Sequence, residues 1–271
     1  MLVCEGFDSP SKFIAARWPS SGLYPAGDGA IHGSIDKEVR ASGTGSLRFE
    51  IPPHSGANAS GYWKQAFGRS FGEKDTFFVQ FRQRFSEEML KTDWGDTTWK
   101  QAIFHNAAAT CGEVELTTVQ YYHNGFPIMY TDCGARALYT SGGKPPMKLE
   151  QGDYNCWYGK YNKRDCFLYP ANQWVTFYFR VSIGRWEKPD SNIDAWVALD
   201  GEGYKQWIQM PGFLLKNSHP GQDYDTVTLL PYMTNKDAGA EHPAAYTWYD
   251  ELIVSTRPIA PPVASSSGGS E

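Results

Sequence analysis

Apolar and polar residues alternate along this chain in short runs, each closed by a turn signal. Ser46-Leu47-Arg48-Phe49-Glu50-Ile51 alternates and stops at Pro52-Pro53. Thr76 to Phe85 alternates over ten residues, and Trp99 to His105, Glu113 to His123 and Trp174 to Ile183 read the same way. Ile193 to Leu199 ends in Asp200-Gly201, a hairpin signal, and Tyr204 to Gln209 returns from it. Thr226 to Met233 and Tyr246 to Ser255 complete the set. Glu87-Glu88-Met89-Leu90, within Ser86 to Asp96, is read as a short helical turn. Ser141 to Asp165 is a long polar excursion without a period, of the kind that in compact domains serves a function or moves. Many short strands with turns between them predict an all-β fold, a two-sheet antiparallel β-jelly roll.

Composition supports this. Among 271 residues there are 27 Gly, 17 Pro, 16 Tyr, 15 Phe and 10 Trp, which suits strands joined by turns around an aromatic core. No apolar run approaches the roughly 20 residues a membrane-spanning helix needs. The net charge of -5 argues against a general nucleic-acid binder but leaves room for a local basic groove. Nucleophile-elbow, P-loop, dinucleotide-binding and HExxH patterns are absent, which removes α/β-hydrolases, NTPases, Rossmann oxidoreductases and common zinc proteases.

None of the five cysteines forms a CxxC pair. Cys111 and Cys133 bracket a strand and its return, and Cys156 and Cys166 bracket a polar loop. Two local disulfides, 111–133 and 156–166, with Cys4 left over, are the economical reading; five reduced thiols are the alternative. Met1-Leu2-Val3 is too short for a signal peptide, as in a secreted chain lacking its leader, so an extracellular or periplasmic location is expected. From Arg257 the composition turns to Pro, then Ser and Gly. The expected organisation is a jelly-roll domain over 1–256 and a linker or tail over 257–271.

Three strands carry candidate chemistry. In Thr76 to Phe85, Gln80, Arg82 and Arg84 share one face, opposite Phe77, Val79 and Phe81. Two guanidinium forks on a central strand can bind carboxylates, though ordinary surface arginines would read alike. In Trp99 to His105, Gln101, Ile103 and His105 share one face, and Lys100, Ala102 and Phe104 the other. His105 is a candidate general base, or a histidine closing a strand. Glu113 and Glu115 point to the same side and are either paired acids or partners of Arg82, Arg84 or Lys100. Tyr122 and Tyr130 can each donate a phenolic proton. Asn235, Lys236 and His242 lie in the loop before the last strand, where they can touch a substrate or form an ordinary polar loop. Asp8, Asp250 and Glu251 offer hard oxygen ligands for a structural Ca²⁺.

The stretches FFVQFRQRF, WKQAIFHN, CGEVELTTVQYYHNGFPIMYTDCG and TNKDAGAEHPAAYTWYDELIVS resemble a group of bacterial secreted proteins with a concanavalin A-like jelly roll. More distantly the layout is similar to jelly-roll polysaccharide lyases of the alginate, glucuronan and heparin types. That resemblance implies Arg, Gln, His and Tyr side chains rising from a concave sheet into a sugar-binding groove. Alginate lyases of this fold carry Gln-Ile-His or Gln-Val-His; here Gln101-Ala102-Ile103-Phe104-His105 is two residues longer.

The expected function is therefore a secreted polysaccharide lyase cleaving a uronate-containing glycan by β-elimination. Arg82, with Gln80, Arg84 or Lys100, would neutralise the substrate carboxylate; His105 or a tyrosine would take the proton; Tyr122 or Tyr130 would protonate the leaving oxygen. Gln101, Asn235, Lys236 and His242 would help hold the substrate. A glycoside hydrolase using Glu113 and Glu115, and a carbohydrate-binding module without chemistry, are the alternatives. The expected partner is an acidic polysaccharide bound by a monomer, with no nucleic acid, no membrane and no required cofactor.

Overall fold

The computed structural model describes residues 1–9, 21–27, 32–95, 99–105, 114–119, 126–131, 156–157, 160–161, 167–215 and 223–261. In chain order the strands are β1 (Val3–Glu5), β2 (Gly22–Tyr24), β3 (Gly33–Asp36), β4 (Ser46–Ile51), β5 (Tyr62–Phe71) and β6 (Thr76–Phe85). After the short helix α1 (Glu87–Lys91) come β7 (Trp99–His105), β8 (Val114–Val119), β9 (Phe126–Thr131), β10 (Cys156–Trp157) and β11 (Lys160–Tyr161). β12 (Trp174–Ser182), β13 (Pro189–Leu199), β14 (Lys205–Leu214), β15 (Tyr224–Leu229) and β16 (Ala245–Ser255) follow.

Two antiparallel sheets face each other, as the alternation predicts. The first has the order β14-β13-β12-β6-β16-β4-β3, with β1 also pairing β16; the second has the order β2-β5-β15-β7-β8-β9. This is a β-jelly-roll sandwich. Each strand sends alternate side chains inward. From β6, Phe77, Val79, Phe81 and Phe85 are fully buried, and from β12 so are Val175, Phe177, Phe179 and Val181. Phe179 joins the two sheets: its ring lies 5.2 Å from Phe104 of the second sheet and 6.0 Å from Phe81 of its own.

Local signals close the elements. Ser86 caps α1, its hydroxyl accepting from the Met89 amide, with Glu87 and Glu88 in the first turn where acidic side chains favour the helix dipole. The Asp200-Gly201 turn joins β13 to β14 with Gly201 at φ 80°, a conformation that glycine reaches without steric cost. Past Thr256 the chain continues against the first sheet: the Ile259 amide donates to Tyr178 Oη at 3.4 Å.

Candidate active site

The two sheets present two outward faces on opposite sides of the sandwich, and the sequence-predicted residues divide between them. Register places Trp174, Arg84, Trp248 and Arg48 in one row across the first sheet. Thr176, Arg82 and Asp250 make a second row. Gln80, Arg82 and Arg84 do share a face, as their alternation predicts, but that face is occupied by its own partners. Arg82, 3% exposed, pairs with Asp200 and lies 3.5 Å from Glu251, with its guanidinium 5.9 Å from the Trp174 ring centre. Gln80 Oε1 accepts from Tyr204 Oη at 2.6 Å, and burial pushes that phenol above its usual range. Arg84 lies over Trp248 at 5.9 Å. The expectation that these three line a groove with His105 is corrected: β6 lies between β12 and β16, whereas β7 lies in the other sheet between β15 and β8.

The outward face of the second sheet holds the other half. Lys64, Thr228, Ile103, Glu115 and Tyr130 stand in register across β5, β15, β7, β8 and β9. Four inter-strand gaps of about 4.8 Å make this row roughly 19 Å long. One step along, His105 stands opposite Thr226. His105 Nε2 lies 2.7 Å from Thr228 Oγ1, and both residues are buried though they point away from the core. A hydroxyl can donate or accept, so Thr228 can hold either tautomer of the ring. Beside Lys64, Tyr24 and Tyr62 stack at 4.8 Å, and Lys64 Nζ lies 5.7 Å from the Tyr24 ring centre. Lys64 and Tyr62 were not singled out by the sequence, because β5 has no clean alternation, and Thr228, on the expected strand β15, carries no chemical signal of its own.

Gln101 also departs from expectation. The β7–β8 register shifts between Lys100 and Ala102, and this bulge turns Gln101 inward. It is fully buried, its Nε2 donating to Tyr169 Oη at 2.7 Å while its backbone carbonyl accepts from Tyr249 Oη at 3.0 Å. It therefore braces the core instead of contacting substrate. Lys100 stays at the sheet surface, its Nζ 5.7 Å from the Tyr232 ring centre. Glu113, Tyr122, Cys111, Cys133 and Cys166 lie outside the described residues. For Glu115, Tyr130 and Cys156 the strand position is described.

Asn235, Lys236 and His242 do come together. They line a pocket of about 430 Å³ with Asp93, Trp94, Asp237 and Glu241. Lys236 donates to the Ser55 carbonyl, its Nζ 5.8 Å from the Trp94 ring centre, and the His242 ring lies 4.6 Å from that of Trp94. His242 Nδ1 is 2.7 Å from the Pro243 carbonyl, which can only accept, so Nδ1 carries the proton and Nε2 is an acceptor. That Nε2 is buried with no partner, a situation that costs roughly 1–3 kcal/mol. Burial, reinforced by Lys236 and His54, pushes the imidazole below the usual histidine range; burial likewise lowers the Lys236 ammonium.

Asp8 and Asp250 spend oxygens on backbone amides. Asp8 Oδ1 accepts from Thr44 and Gly45, and Asp250 Oδ2 accepts from Ala41 at 2.8 Å and Ser42 at 3.2 Å. Among the described residues no three Asp, Glu, His or Cys side chains gather as a metal set. Burial raises Asp250 to about 6 against the opposing pull of these amides. Its unfolded value is about 3.9. Between the two values the native state binds more protons than the unfolded one, so stability falls as pH rises from about 4 to about 6, by up to about 3 kcal/mol. Thermal melts in chelator-containing buffer should show this fall in the wild type and a flatter curve in Asp250→Asn. Parallel curves would remove Asp250 as its source.

Cys4 is free and exposed, as its leftover position predicts. Non-reducing peptide mapping should find links 111–133 and 156–166; alkylation of all five thiols in the native, unreduced protein would exclude both.

No protein-family model matches the chain, and no curated protein sequence does. Solved structures do match in fold. The marine PL-14 alginate lyase from Aplysia kurodai is 12% identical with a TM-score of 0.55, covering 83% of this chain and 87% of that one. The catalytic domain of the glycoside hydrolase family 131 protein from Coprinopsis cinerea is 12% identical with a TM-score of 0.54, covering 97% of each chain. The cellulose induced protein Cip1 is 12% identical with a TM-score of 0.53, covering 96% of this chain and all of that one. At such identity the likeness is one of fold: this chain shares the jelly roll of these proteins.

Proposed function

We propose that this chain is a secreted, polysaccharide-active enzyme that cleaves a uronate-containing glycan by β-elimination on the outward face of the second sheet. The observation that carries the proposal is the His105 Nε2–Thr228 Oγ1 contact of 2.7 Å, one step from a row that contains Lys64, Glu115 and Tyr130. Elimination needs a charge that neutralises the uronate carboxylate, a base for the C5 proton and an acid for the leaving oxygen. Lys64 supplies the charge, taking the place first assigned to Arg82 and its neighbours. His105, held by Thr228, takes the C5 proton as the C4–O bond breaks and a C4–C5 double bond forms. Tyr130 gives its phenolic proton to the departing oxygen. Burial of His105 and Thr228 strengthens their contact relative to water.

Glu115, in register with both Ile103 and Tyr130, also supports a second reading as a hydrolase acid. A panel of acidic and neutral glycans separates the readings. Ultraviolet absorbance of an unsaturated uronate together with new reducing ends is the expected result. Reducing ends alone would transfer the site to hydrolysis, and binding with neither would leave a carbohydrate-binding module.

A further inference from the structure

We propose that the outward face of the first sheet carries a second, non-catalytic site that holds carboxylates of the same glycan through Arg84 and Arg48. The inference rests on the uronate reading above. It adds a place where the polymer is retained while another stretch of it lies on the second sheet.

Register builds the site. Arg84 of β6 stands opposite Trp174 of β12 on one side and Trp248 of β16 on the other, and Trp248 stands opposite Arg48 of β4. Alternation sends this row outward, because the chain neighbours Phe85, Phe49 and Tyr249 fill the core. Two inter-strand gaps separate the strand positions of the two arginines by about 10 Å. Aromatic neighbours hold their side chains. The Arg84 guanidinium lies 5.9 Å from the Trp248 ring centre and that of Arg48 lies 5.6 Å from the Tyr246 ring centre. Tyr246 and Trp248 in turn stack on each other at 5.9 Å. Each planar fork is thus laid on a ring before any ligand arrives.

What the pair lacks is an anion. Arg82, one row along, is paired with Asp200 and Glu251. Among the described residues the half-buried Arg84 side chain has no ion pair and no hydrogen bond, and its shielded Nε is unpartnered. Burial pulls its guanidinium below the usual arginine range, with Asp36 opposing. Arg48 is 36% exposed and has Asp36 at 3.8 Å, beyond hydrogen-bond reach. That carboxylate is already engaged: Oδ1 accepts from the Glu38 and Val39 amides, and Oδ2 from Trp248 Nε1 at 2.9 Å. One engaged carboxylate therefore faces two guanidiniums. Glu50, opposite Tyr246 in the next row, pairs with neither among the described residues. Asp250, in the second row, keeps its oxygens on the amides of Ala41, Ser42 and Glu251.

The occupant follows from what is left open. In both arginines Nε is the shielded nitrogen, so a ligand meets the terminal nitrogens, which only donate. Such a fork matches the two oxygens of a carboxylate. Trp248 lies under Arg84 and Trp174 under Arg82, each indole 7% exposed, so neither ring is a free floor for a nucleobase or an apolar sugar face. A uronate polymer repeats its carboxylate along the chain and can engage both forks at once, which raises affinity over a single contact.

A site-resolved titration tests this. The reporter is the Trp248 indole N–H resonance in heteronuclear NMR, which lies in the row with both arginines and on the opposite side of the sandwich from the second sheet's outward face. The probes are tetrasaccharides of mannuronate, glucuronate and galacturonate, the methyl ester of each, and a thymidine tetranucleotide. Each is titrated into the wild type and into His105→Ala, so that consumption of a probe on the second sheet does not mimic lost binding. At least one uronate should move the resonance while its ester does not, and its affinity should fall tenfold or more in Arg84→Gln and in Arg48→Gln. Arg84→Lys keeps the charge without the fork and should recover part of the loss. Arg48→Gln, at the more exposed position, carries the test where Arg84→Gln fails to fold. The inference is overturned when no uronate moves the resonance, when the ester moves it equally, or when affinity survives both glutamine variants. Tighter binding of the tetranucleotide at this resonance overturns it as well, in favour of a phosphate-binding surface. None of these readouts requires turnover. Binding here without elimination would remove the proposed reaction and keep the site, and elimination without binding here would do the reverse.

Discussion

Alanine at His105 should lower the elimination rate by roughly 10²- to 10⁴-fold, the range for losing a positioned general base. Alanine at Lys64 should cost about 10²- to 10³-fold, the scale of removing one electrostatic stabiliser. Both side chains leave the sheet on its outward face, but His105 is 8% exposed and holds the buried Thr228 hydroxyl, so its alanine variant should also lose some melting temperature and the rate is read per folded molecule. Lys64→Arg keeps the charge and should recover part of the loss, which a packing role for the Lys64 stem would not produce. Thr228→Val is the positioning variant: it deletes the hydroxyl 2.7 Å from His105 Nε2 and should shift the pH dependence of the rate along with lowering it. Full activity in both His105→Ala and Lys64→Ala would end the assignment of chemistry to this face. Glu115→Gln completes the set, since a hydrolase built on that carboxylate loses nearly all turnover and a lyase does not.

These residues show what a sequence reading can and cannot reach. The sandwich was legible because β6 and β12 alternate cleanly over ten and nine residues, each with four fully buried apolar side chains on one face. The same alternation correctly grouped Gln80, Arg82 and Arg84. It could not say which sheet a strand joins. β6 and β7 are neighbours in sequence, which groups the arginines with His105, yet the strands lie in different sheets. A strand's own pattern fixes its faces; partnership depends on long-range pairing that the pattern does not encode. Gln101 shows a second failure, because one register shift reverses the face of a residue and nothing local announces it. β5 shows a third. Lys64, Gln65 and Ala66 are all half-buried and Gly68 takes φ 79°, so the strand that carries Lys64 lacks the signature of a strand. The loop residues Asn235, Lys236 and His242 were found by their chemistry, and contact with Trp94 is what makes them a pocket.

Arg82 is where the sequence reading and the structure differ most, and one pair of variants decides between them. On the sequence reading Arg82 neutralises the substrate, so alanine there removes activity from a stable protein. In the structure its side chain is 3% exposed, pairs with Asp200 and Glu251, and packs against Trp174. Removing one member of a buried ion pair costs roughly 3–5 kcal/mol when the partner is left buried and unpaired. Here Asp200 is 48% and Glu251 24% exposed, so both carboxylates regain water, and the lower figure of about 2–3 kcal/mol follows, much of it lost packing of the long stem. Arg82→Ala should therefore lower melting temperature by several degrees while activity per folded molecule stays at the wild-type level. Arg82→Met restores most of the stem without the charge and should recover most of the stability. A stable but inactive Arg82→Met protein would return the arginine strand to the active site and remove the second-sheet face from it, because the two faces lie on opposite sides of the sandwich and no single sugar can touch both.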